Sequence, residues 1–195
     1  MTVTLVQPYD PAWPSHFQQI VVFLKPGMGE VRHSFEHVGS TAIPGMTAKP
    51  IIDINIVITP GTFPEVKGRL EVLGYIHQGD LGIPKREAFD LVDVEAIVRL
   101  PKHYLYVCDD DSYELRNQLA FRDFLRQHRE WREKLSRLKR ELCVKHKNDR
   151  QAYIDGKSDM VREITKLAME DNRPLARPGV GTVNAIEIPG IYNGE

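Results

Sequence analysis

Residues 51–58 read Ile-Ile-Asp-Ile-Asn-Ile-Val-Ile, an apolar run broken at alternate positions by Asp53 and Asn55. Isoleucine and valine favour a pleated strand, and residues i and i+2 of a strand point to the same face. Asp53 and Asn55 therefore stand together on one side of an otherwise apolar strand. A buried carboxylate is costly without a partner, a metal or a cleft, so the pair points to a purpose beyond packing.

Just upstream, the apolar stub from Phe35 to Val38 runs into a small-residue turn, Gly39-Ser40, followed by Gly45 and Lys49. Short or missing side chains let a ligand approach the backbone. The N–H groups of such a turn, and of a short helix after it, suit a phosphate. A carboxylate on the next strand, Asp53, suits Mg²⁺ that bridges to phosphate oxygens. Lys49 adds a point charge for the same anion. The plainer alternative is a tight turn, with Asp53 capping a neighbouring helix or pairing with Lys49.

With these residues in view, the stretch 37–54 resembles the opening of a nucleotidyltransferase-fold domain, where a Gly-Ser turn precedes a strand bearing Asp-x-Asp or Asp-x-Glu. More closely, His-Val-Gly-Ser-Thr-Ala-Ile-Pro-Gly-Met and Ala-Lys-Pro-Ile-Ile-Asp-Ile resemble the GrpB family. Its members are similar to a domain appended to some bacterial dephospho-CoA kinases. Pro8, Asp10, Pro11 and Trp13 fit the family's opening. So do residues 81–89 as its central loop, 103–108 as its next strand, 119–125 as its first C-terminal helix, and Tyr153 with Lys157.

The resemblance implies an α+β fold: a nucleotidyltransferase-like small mixed sheet with flanking helices and a helical C-terminal subdomain. It implies a nucleotide or related phosphorylated ligand, with transfer of a nucleotidyl group to an acceptor. The alternative is a non-catalytic ligand-binding or protein-interaction module of the same fold. In the first case Asp53, bound to Mg²⁺, and Asn55 carry the chemistry. His37, Gly39, Ser40, Lys49, Arg86, His103, Arg122 and Lys157 hold the ligand. Two departures bear on this. Asn55 stands where a working transferase has its second metal carboxylate, and an amide brings no negative charge. Relatives often carry His-His-Leu-His-Val where this chain has His103, Tyr104, Leu105, Tyr106 and Val107.

At 195 residues the chain can bury a sizeable core. Residues 1–110 are expected to form the α/β core, 111–172 a helical subdomain packed on it, and 173–195 an extended tail. A net charge of −1 singles out no polyanion, yet residues 111–150 hold 12 basic and 7 acidic side chains. Cationic helices against a carboxylate-bearing sheet could focus an anionic ligand, or be a solvated surface laced with ion pairs. Nucleic acid is not expected as a partner, because no strand combines aromatic and basic residues as single-strand binders do. No apolar stretch reaches membrane-spanning length, no signal peptide is expected, and two unspaced cysteines fit a cytoplasmic protein.

Along the chain, residues 3–6 alternate as a short strand. Asp10 is expected to cap a helix with Pro11 at its first position, ended by Pro26-Gly27. Strands are expected over 31–38, 51–58, 88–98 and 103–107, and a helix over 63–73 closed by Gly74. Asp93 and Glu95 then repeat the i, i+2 spacing and offer a third metal carboxylate, or a solvent-facing alternation. Three apolar stripes from Leu115 onward predict three helices, with a polar break over 145–150. Arg122 either forks onto phosphate or pairs with Asp123 or Glu114. Lys139 and Arg140 read as surface charges, and Val183, Ile186 and Ile188 as an edge strand. Cys108 has no activating neighbour and reads as inert.

Overall fold

The computed structural model describes residues 5–171. Its sheet has five strands: β1 (His33–Val38), β2 (Ile52–Ile58), β3 (Tyr75–Gly79), β4 (Arg86–Leu91) and β5 (His103–Asp109), in the order β1-β2-β5-β4-β3. β2 and β5 pair in parallel and the other neighbours are antiparallel. The helices are α1 (Trp13–Met28), α2 (Phe63–Val72), α3 (Val94–Arg99), α4 (Tyr113–Gln127), α5 (Arg129–Lys145) and α6 (Arg150–Glu170). A parallel pair needs a long crossover, and α2, β3, β4 and α3 make up the one between β2 and β5.

Alternation along β2 sorts the molecule into layers. Ile52, Ile54, Ile56 and Ile58 point one way and join Trp13, Ile20, Leu24 and Met28 of α1 and Val66 and Leu70 of α2 in the main core. Burying each such side chain contributes about 1.5–3 kcal/mol. Val57 points the other way, into a cluster with Val38, Cys108, Leu115 and Leu119 beneath α4. Asp53 and Asn55 share that second face, toward the C-terminal helices.

The loop between β1 and β2 ties the helices to the sheet. Its Ile43 and Met46 are fully buried among Phe124, Leu125, Leu135 and Ile164. Arg126 donates to the Ala42 carbonyl at 2.8 and 3.0 Å, and the Thr47 N–H donates to Ser136 Oγ at 3.1 Å.

Three expectations change. The first helix starts at Trp13, because Asp10 accepts from the Ala12 N–H and shapes the turn before it. It also runs through Pro26 to Met28. A proline in the last turn costs a single helical bond, while Leu24 and Met28 are fully buried. The segment 88–98 is not one strand: it splits into the end of β4 and α3. Asp93 is the N-cap of α3, its carboxylate accepting from the Ala96 N–H at 2.8 Å, and the strand pair Asp93/Glu95 does not exist. Near the start, Gln7 makes an isolated bridge to Ala48. Residues 3 and 4 and the tail from 172, with its expected edge strand, lie outside the described residues.

Candidate functional site

β1 ends at Val38 and the chain turns at Gly39, with φ +69°, into a short 3-10 turn, Ser40–Ala42. A Cβ built on Gly39 would lie 2.2 Å from Asp53 Oδ2. The turn is thus pressed directly against the carboxylate of the next strand, which only glycine permits.

Beside this contact, α5 and α6 close a cavity of about 200 Å³. Its polar lining consists mainly of Ser40, Lys49, Asp53, Lys139 and Lys157, with Tyr104 and Tyr153 alongside. Lys139 is the least expected member. It is 2 % exposed, and its ammonium donates to Ser40 Oγ at 2.6 Å and to the Thr47 carbonyl at 3.1 Å. Arg140, also expected at the surface, donates to Thr47 Oγ1 at 2.9 Å. The sequence does carry a signal for Lys139. Leu135, Ser136, Leu142 and Cys143 surround it at helical spacing on the buried stripe of α5, so a lysine there points inward. Lys49 and Lys157 both lie over the Tyr153 ring, at 4.8 and 5.6 Å.

The charges act on one another. Burial pushes Asp53 up to about 6, against the pull of Lys157, Lys139 and Arg86. Burial, with the like charge of Lys157, holds Lys139 down to about 7 although Asp53 works the other way. Lys157 is lowered by burial and by Lys49, and Lys49 by burial and by Arg150. Ammonium groups made reluctant to charge by burial, and further by neighbouring cations, are relieved by an anion set between them.

Other sequence candidates lie elsewhere. Asn55 is fully buried; its amide donates to Gln118 Oε1 on α4 at 2.6 Å, which fastens helix to sheet. His37 points to the opposite face of the sheet. There it stacks on Phe17 at 4.8 Å, with Nε2 3.0 Å from Thr41 Oγ1. Burial and the charges of Arg126 and Arg122 hold it down to about 4, so it is neutral at physiological pH. His103 shares that far face and lies 2.7 Å from the Tyr75 hydroxyl. Arg122 is engaged by Glu36, Asp123 and the His37 carbonyl. Arg86 stays near: its guanidinium lies 4.6 Å over Tyr106, on the Asp53 face. Cys108 is pushed up to about 12 by burial, in keeping with an inert thiol.

A resident Mg²⁺ does not fit this donor set. Among the described residues Asp53 is the only carboxylate lining the cavity, and three ammonium groups share the space. No cluster of three His, Cys, Asp or Glu suited to a metal exists among the described residues. A larger groove of about 590 Å³ between α4 and α6 mixes Glu114 and Glu170 with Arg162 and Lys166 and gathers no single sign of charge.

The GrpB protein family profile matches residues 3–167. UPF0157 protein PA4798 of Pseudomonas aeruginosa is 33% identical over 180 residues, 90% of this chain and 72% of that protein. The crystal structure of the conserved protein GrpB from Enterococcus faecalis superposes with a TM-score of 0.73 at 27% identity, covering 85% of this chain and 98% of that one. A dephospho-CoA kinase of Mycolicibacterium paratuberculosis is 48% identical over 59 residues, 29% of this chain and 14% of the kinase.

Proposed function

The chain belongs to the GrpB family, and from that premise we propose that it binds a phosphorylated small molecule, a nucleotide in the first instance. The site is the cavity between the Gly39-Ser40 turn and the lysines of the helical layer. One observation carries this reading: Lys49, Lys139 and Lys157 converge with Ser40 on one cavity whose lining, among the described residues, offers a single carboxylate. Like charges gathered at low dielectric repel, and a phosphate oxygen cluster is the ligand that turns the repulsion into attraction. Ser40 Oγ and the lysine ammoniums supply donors for it.

In this reading the molecule is a binding module. Transfer of a nucleotidyl group works through metal ions that position and neutralise phosphates, and the second carboxylate for them is replaced by Asn55, engaged with Gln118. The similarity to part of a dephospho-CoA kinase makes dephospho-CoA a reasonable ligand to include.

Calorimetric titration of the protein with ATP, GTP, CTP, UTP and dephospho-CoA, each with and without Mg²⁺, is the test. The expected result is micromolar binding of at least one, indifferent to Mg²⁺ and weakened at least tenfold in Lys157→Met. Absence of binding by all five overturns the proposal. Binding that requires Mg²⁺ and is lost in Asp53→Asn would replace it with the transferase.

A further inference from the structure

We infer that the anion cavity is one end of a longer cleft, and that the ligand is a nucleoside phosphate whose base lies on Tyr104. This rests on the anion-binding reading above and names the ligand class.

Tyr104 is the register partner of Asp53 on the neighbouring strand, so it shares the face that carries the carboxylate. It lines the anion cavity and also a second one, of about 370 Å³, on its far side. That second cavity lies across β5, β4 and β3 and is lined by Gln78, Leu81, Ala88, Asp90, Tyr106 and Arg150, among others. Neighbouring strands lie about 4.8 Å apart, so the span from β2 across β5 to β4 is about 10 Å. A phosphate chain with a sugar spans such a distance.

The lining of the second cavity suits a flat heteroaromatic ring better than more phosphate. Leu81, Ala88 and the two tyrosines are largely apolar surfaces, while Gln78 and Asp90 offer an amide and a carboxylate for ring-edge hydrogen bonds. The two tyrosines are not equivalent. The Arg86 guanidinium already lies over Tyr106. Among the described residues no ring or cation lies over Tyr104, which leaves it as the stacking surface. Bases stack on aromatic side chains whatever their identity, so the platform fits nucleosides in general and sets no preference among bases.

The test compares inorganic tripolyphosphate with ATP by calorimetry, on the parent protein and on Tyr104→Ala and Tyr104→Phe. ATP is expected to bind at least tenfold more tightly than tripolyphosphate. Tyr104→Ala should remove that advantage by weakening ATP far more than tripolyphosphate, and Tyr104→Phe should keep it. Equal affinity of the two ligands for the parent, or an ATP advantage that survives Tyr104→Ala, overturns the inference while the anion site stands. If neither ligand binds, the anion site fails and the inference with it.

Discussion

At the scale of single residues, the sharpest constraint is Gly39. It combines a positive φ with a carboxylate oxygen where a Cβ would sit, so any side chain there forces the turn off Asp53. Gly39→Ala is expected to cost about 1–3 kcal/mol in urea unfolding and to weaken anion binding. An alanine variant of parent stability would mean the turn can shift freely. The same scale shows where sequence reading reaches and where it stops. Ser40, Lys49, Asp53 and Lys157 are brought together around one cavity, and Gly39 presses on Asp53 beside it. His37 and His103 are legible only once strand register is known, because each sits one residue out of phase with Asp53 or its partner and so faces the other layer. Lys139 needs its helix's buried stripe to be traced, since charge alone argues for the surface.

At the scale of elements, one hydrogen bond explains why Asn55 differs from the carboxylate a transferase would carry. The amide joins β2 to α4 through Gln118, whose own amide donates to Glu114 at 2.9 Å. Asn55→Asp would set an oxygen acceptor against Gln118 Oε1, and turning the glutamine would sacrifice Glu114. The expected outcome is a loss of about 1–3 kcal/mol and a melting temperature indifferent to Mg²⁺. A melting temperature that rises by several degrees with Mg²⁺ would instead mean that a two-carboxylate metal site had formed. Most elements could be read from periodicity: the three C-terminal helices fall on their three apolar stripes, and β2 on its isoleucines. The break within 88–98 could not, because Asp93 reads equally as a strand residue or as an N-cap until the register of β4 decides. Pro26 misleads for a related reason. It ends a helix only where burial beyond it is weak, and here Met28 lies in the core.

At the scale of the whole molecule, the site is shared between a sheet that supplies the carboxylate, the β1–β2 loop that supplies Lys49 and helices that supply Lys139 and Lys157, and its protonation belongs to all three. Lys139 titrates near 7 against an ordinary 10.5, so at pH 8 most of the ligand-free protein carries it neutral. An anion that binds the ammonium form must then take up a proton, and affinity is expected to fall by up to about fiftyfold from pH 7 to pH 9. Asp53, raised to about 6, adds to the same trend, since it gains a repelling charge between pH 5 and 7. Both signs agree: binding weakens as pH rises. Calorimetry across pH 5.5–9 in buffers of different ionisation enthalpy would register the uptake, and an affinity that is flat or improves with pH would contradict it. The shared construction also has a consequence in time. Asp53 leaves the ribosome about a hundred residues before Lys157, and at ordinary synthesis rates that interval lasts on the order of ten seconds. During most of it the nascent sheet has Lys49 and Arg86 near Asp53 but neither of the helical lysines, Lys139 and Lys157, that line the finished cavity. The cavity that Lys157 lines therefore closes only once α6 has been made.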